Sequence, residues 1–280
     1  MIKDDRLLSI TKITFIPLAL LSLTFGPLLF LLPNQTDSYF AWTITPAMSA
    51  VFIGAGYTSG ALIIFRLMLM GRWHPMRPFA LGGWGFIVAI FGATLLHWDR
   101  FHHGTLFFYI WFAVYALGPF LVPIACWFNE KHNAPPTPHE LLLAAPIRYG
   151  LVTMGLLFTV LGVVLFINPA LFTPIWPWEL TPLIGRVIAA WIFLPSLGAL
   201  GAAFEPRYSA YRPLVRFSVI WAFLVLAGSL LHLDDFDFGR PLAWLWFVYL
   251  VLIIPAAWLV YRHHEQRHRQ PQPDTGLVAY

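Results

Sequence analysis

Charge is scarce in this chain. Asp, Glu, Lys and Arg make up 11% of its 280 residues, against 59% hydrophobic residues and a mean hydropathy of +0.71. An average soluble domain carries roughly 25% charge, so a water-facing surface for the whole molecule is excluded and the lipid bilayer is the solvent that suits it. Cysteine is scarcer still. Cys126 stands alone inside an apolar run, which excludes an intrachain disulfide and a thiolate metal cluster. The chain also has no phosphate-binding Gly-rich loop, no haem-attachment Cys motif and no Ser-His-Asp arrangement readable along the sequence. Its basic residues are dispersed between apolar runs, so no nucleic-acid role follows from them.

Long hydrophobic runs are what it has. Eight are long enough to span a bilayer: residues 13–32, 46–70, 79–98, 105–128, 147–168, 181–204, 214–233 and 241–261. The first follows Lys3, Arg6 and Lys12 and ends in LLPNQTDSYF, with no small-residue cleavage site, so it reads as a retained helix and not as a cleaved signal. An even number of spans puts both termini on one side. Of the 17 Lys and Arg, only Arg100, Arg186 and Arg240 fall outside the termini and the loops after spans two, four and six. By the positive-inside rule those loops and both termini are cytoplasmic, in an inner or plasma membrane.

The chain also repeats itself, with a period of about 135 residues. Trp42 matches Trp178, Thr45-Pro46 matches Thr181-Pro182, Arg72 matches Arg207, and Arg77-Pro78 matches Arg212-Pro213. The fold expected is therefore all-α: a polytopic integral membrane protein of eight transmembrane helices, built as a parallel duplication of a four-helix unit about a pseudo-twofold along the membrane normal. Residues 1–130 form the first unit, 131–146 a cytoplasmic linker, 147–262 the second unit, and 263–280 a cytoplasmic tail. Several repeated residues have local duties. Thr45 and Thr181 can cap helices that start at the following prolines. Trp42 and Trp178, with Tyr39, Phe40 and Trp176, fit an aromatic belt at the outer interface. Small residues at four-residue spacing, as in Gly56 and Gly60, Gly85 and Ala89, or Gly198 and Ala202, allow close helix approach.

The repeat that carries chemistry is LLHWDRFHHG against LLHLDDFDFG, starting at Leu95 and Leu230. Residues i and i+2 of a continuous helix point about 200° apart, so the helix must end between His97 and Asp99 for the two to share a ligand. One reading is a duplicated helix ending, with imidazoles at headgroup level and aspartates bonded to their own loops. The other is a divalent transition-metal site of His97, Asp99, His232 and Asp234, brought together by the pseudo-twofold on the outer face. His102 and His103 have no counterpart in the second copy, where Asp237 and Phe238 stand. Arg186 is the other anomaly, a charge inside span six where the first copy has alanine. It either snorkels outward towards Glu179 and the headgroups or serves as a buried counter-ion near the more acidic second copy. The spans otherwise offer only scattered Ser, Thr and Tyr, which disfavours ion-coupled transport. The functional expectation is a non-enzymatic membrane component or small-solute permease, with the metal-dependent outer site as the alternative.

Overall fold

The computed structural model describes residues 3–138 and 140–269, and is helical with no named strand among them. Its helices are α1 (Ser9–Leu31), the single turn α2 (Thr36–Tyr39), α3 (Ala47–Met70), α4 (Trp73–Leu96), α5 (Leu106–Glu130), α6 (Ala145–Ile167), α7 (Pro182–Phe204), α8 (Tyr208–Leu231) and α9 (Pro241–Arg269). Eight of them, all but α2, are long and apolar enough to cross a membrane. The expected tail falls partly within α9, and its residues 270–280 lie outside the described part.

The third and seventh spans start about two turns earlier than the sequence suggests, at Trp73 and Tyr208. Pro78 and Pro213 sit in the second turn, where a missing N–H removes one bond without ending the helix. Arg77 is consequently on the helix and not in a loop, with its Nε 3.0 Å from Glu130. The α3–α4 corner is tight because Gly71 takes a left-handed φ of 65° that a side chain would disfavour, and its N–H closes on Leu67 O at 3.2 Å.

Short backbone pairings close both ends of the bundle. At the end carrying the N-terminus, called proximal here, Leu7 N–H donates to Gly71 O (2.7 Å) and Trp73 N–H to Asp5 O (2.8 Å). Leu143 N–H donates likewise to Pro206 O (2.7 Å), and Tyr208 N–H to Leu141 O (2.9 Å). At the distal end Trp42 bridges Phe101 and Trp178 bridges Phe236. In each case the second set stands 135 or 136 residues after the first.

These distal pairings correct the belt reading of two tryptophans. Trp42 and Trp178 are fully buried. Trp42 packs against Phe40, Phe101 and Trp111, and Trp178 against Trp176, Phe236 and Trp246. Each is the plug of a loop cluster, since the bridge to a phenylalanine pulls its ring inward.

α3 is the central helix, with 83% of its apolar window buried, whereas α9 has 11% and presents its flank to lipid. The residues of α1–α5 meet those of α6–α9 mainly along α4 and α7, where Gly82 faces the Leu194 carbonyl and Gly201 faces Pro78. α1 packs against α5, but α6 and α9 do not close on each other in the same way. A cleft of about 490 Å³ remains beside them, lined by aromatic residues including Phe158, Trp221 and Trp246.

Candidate functional site

α4 ends at Leu96, before the His-x-Asp motif is complete. His97 is the C-cap of α4, with φ −127°, and Trp98, Asp99 and Arg100 form a 3-10 turn. His232 and the turn from Leu233 to Asp235 repeat this at the end of α8. Both turns fold over the start of a helix from the other half of the chain.

In one case the contact is closed. Asp235 accepts a hydrogen bond from the Met48 amide at 2.7 Å, satisfying a donor in the first turn of α3 that has no partner within the helix. The Thr45 cap expected from the sequence is not made. α3 starts after Pro46, and the carboxylate of Asp235 does the capping across the molecule. At the start of α7 Thr181 does cap, accepting from Ile184 N–H at 3.3 Å, and Pro182 takes the first helical position as expected.

In the other case the contact is open. Arg100 occupies the place of Asp235, and the amide matching that of Met48 is that of Ile184, which Thr181 caps. A cavity of about 530 Å³ lies there, lined by Thr43, His97, Asp99, Arg100, Thr181 and Leu183, among others. Arg100 and Asp99 are both exposed and lie 3.4 Å apart, a pair that solvent makes weak.

Arg186 stands behind this cavity. Its NH1 donates to His97 Nε2 at 2.8 Å and to the carbonyl of Pro182 at 3.4 Å, while its buried Nε has no partner. The expectation that it would approach the aspartates after span seven is therefore corrected: its side-chain partner is His97. Accepting from a guanidinium requires a free lone pair on His97 Nε2, so the neutral ring carries its proton on Nδ1. Burial and the Arg186 charge both hold the His97 pKa below the usual histidine value.

The same contact bears on the metal expectation, because the lone pair that a metal would take is already used by Arg186. Among the described residues no group of three or more His, Cys, Asp or Glu is placed to hold a metal ion, so His97, Asp99, His232 and Asp234 are not gathered into one. Asp99 and Asp234 are exposed; the carboxylate with a structural role is the neighbouring Asp235.

At the proximal end the structure assembles a cluster that sequence reading missed. Asp5 lies 2.5 Å from Nδ1 of the buried His74, and the Nε2 of His74 lies 2.8 Å from Ser209 Oγ. Asp5 also accepts from the His74 amide at 3.0 Å. The three residues come from the N-terminal segment, the start of α4 and the start of α8. One signal was available: His74 and Ser209 occupy matching places in RWHPMRP and RYSAYRP. Alongside, Glu205 and Arg207 form a buried two-point ion pair at 2.6 and 2.8 Å.

No protein-family model, curated protein or solved structure matches this chain.

Proposed function

We propose that the chain is a parallel duplication of a four-helix unit, with both termini cytoplasmic, and that it acts as a membrane component binding a small anion in the cavity at its outer end. The pairings that recur at 135 or 136 residues support the duplication, since loop contacts and helix starts recur with them. The Lys and Arg distribution supports the orientation. With Cys126 replaced by alanine, cysteines at Asp37 and Asp237 are expected to react with an impermeant thiol reagent added to intact cells, and cysteines at Lys3 and Pro136 are not. Labelling of the second pair in sealed cells overturns the orientation.

One observation carries the anion reading: the two copies differ by a carboxylate. At the α3 start Asp235 supplies it, and at the α7 start Arg100 replaces it beside an open cavity. A helix N-terminus carries roughly half a positive charge, so the α7 site combines that field with Arg100, and with Arg186 one residue further back. With the Ile184 amide already capped by Thr181, a carboxylate or phosphate group of a small solute would be held there by Arg100 and the helix field. Binding is favoured over free permeation because several buried hydroxyls of the spans are already engaged: among the described residues Ser59 donates to Ala55 O, Thr94 to Ile90 O, and Tyr57 and Tyr115 bond each other.

Arg100→Asp restores the missing carboxylate and is the discriminating variant. Acetate or phosphate is expected to raise the Tm of the wild-type protein above that in chloride of matched ionic strength. A ligand at a hundred times its Kd stabilises by about 2.7 kcal/mol. Arg100→Asp is expected to abolish this rise while itself melting no lower than wild type. A rise that persists in Arg100→Asp, or no anion-specific rise in the wild type, overturns the reading.

A further inference from the structure

We infer that Ser209, His74 and Asp5 form a nucleophile site for acyl-ester chemistry at the proximal end, separate from the anion cavity and independent of that reading. The argument begins with proton positions. A carboxylate can only accept, so Asp5 at 2.5 Å fixes the shared proton on His74 Nδ1. His74 Nε2 is then a lone-pair acceptor, and at 2.8 Å its donor is the Ser209 hydroxyl. That is the protonation pattern in which a histidine takes the proton of an attacking serine. The ring cannot turn away from it, because His74 is buried and Asp5 holds both its side chain and its backbone amide.

Further features complete the site. Ser209 is the second residue of α8, where a backbone amide has no acceptor within the helix. The matching amide of His74 is capped by Asp5, whereas Leu141 stands at the corresponding place in the second half. The Ser209 amide, in the positive field of the helix start, suits an oxyanion. Glu140 Oε1 lies 4.0 Å from His74 Nε2, close enough to favour the imidazolium that forms on proton transfer. Ser209 is partly accessible and lines a recess of about 20 Å³ with Ile63, Leu67, Met70, Arg66, Arg212 and Arg216. The recess lies at the ends of two spanning helices. The recess has room for about one water, and its apolar wall and neighbouring arginines suit an amphiphile with an anionic headgroup that approaches from the bilayer and opens it.

The reaction balances without an added oxidant, reductant or metal. Ser209 Oγ bonds to the ester carbon, its proton passes to His74 Nε2, and the carbonyl oxygen becomes the oxyanion. The C–O bond to the alcohol then breaks, and the alcohol leaves with the proton from His74. Water attacks the acyl-serine with its proton taken by His74, and release of the acid returns the proton to Ser209. Asp5 touches no substrate atom and is a positioning residue.

A fluorophosphonate tests this directly, since attack by Ser209 forms an Oγ–P bond, expels fluoride and passes the proton to His74. Incubation of the full-length protein in detergent is expected to give an adduct on the Ser209 peptide, identified by mass spectrometry. Ser209→Ala is expected to remove the adduct, and His74→Gln to slow its formation about 100-fold or more, as loss of a general base does. Asp5→Asn is expected to lower the rate and move the midpoint of its pH profile downward, because the imidazolium loses its anion; a purely structural role leaves that profile in place. Ser209→Cys provides a second measurement that does not depend on the phosphonate. Beside His74 its thiol is expected to react with iodoacetamide at a pH well below the free-cysteine value of about 8.5. Absence of a Ser209 adduct in folded protein, or a rate unchanged in His74→Gln, overturns the proposal. So does an ordinary pH profile for Ser209→Cys.

Discussion

Arg207→Ala is expected to be among the most destabilising single substitutions in this protein, costing about 3–5 kcal/mol, the range for breaking a buried ion pair from one side. Both partners are 3% exposed. Arg207 bonds Glu205 through two nitrogens and also donates to Ala134 O and Asn133 Oδ1, each at 3.1 Å. It thus ties the segment between the two halves to the α7–α8 corner. Alanine leaves the Glu205 carboxylate buried without its two-point partner, with Arg77 3.6 Å away. Against a total stability of roughly 5–15 kcal/mol, such a loss is visible as a large fall in Tm in detergent. Arg207→Lys is expected to restore only part of it, because an ammonium cannot make the two-point fork. The double variant Glu205→Leu, Arg207→Met is expected to melt above Arg207→Ala, since no unpaired charge is then buried. A double variant no more stable than the single one refutes this account of the cost.

A second large effect is expected from Gly82→Ala, and its control is Gly60→Ala. A Cβ on Gly82 runs into the carbonyl oxygen of Leu194, with the Gly198 amide 3.1 Å away; both obstacles are backbone and cannot rotate aside. α4 and α7 must therefore separate along the interface that joins the two halves. The expected cost is at the upper end of the roughly 1–3 kcal/mol typical of overpacking. A Cβ on Gly60 meets nothing within 4 Å, so Gly60→Ala is expected to be neutral or to stabilise by up to about 1 kcal/mol through helix propensity. Thermal unfolding of the two variants side by side decides the point. Equal Tm values contradict the packing described.

These two glycines show how far the sequence could be read. Small residues at four-residue spacing singled out Gly56 and Gly60 and passed over Gly82. Spacing identifies a face on which approach is permitted, but not whether another helix arrives there. The two Thr-Pro pairs make the same point. Thr181 and Thr45 are identical in their local sequence roles, yet only Thr181 caps its helix, because Asp235 from 187 residues away reaches the α3 start first. Arg186 was recognisable as an anomaly and its partner was not: the field of the acidic second copy favoured an aspartate, but side-chain reach selected His97, 89 residues away. His74 and Ser209 passed unnoticed because neither belongs to a motif, and their contact exists only where two matched helix starts meet.

What the sequence by itself determined was one-dimensional. The eight apolar runs, their separation by short polar loops and the ends of α4 and α8 at the two histidines follow from segment length, hydropathy and local backbone preference, which each segment carries alone. What only the tertiary structure decided was which charges and hydroxyls meet. That choice depends on how helices rotate and pack, where a turn of about 100° per residue moves a side chain from lipid to core. It separated a capped helix start from an open cavity at one end, and at the other it joined an aspartate, a histidine and a serine that lie far apart along the chain.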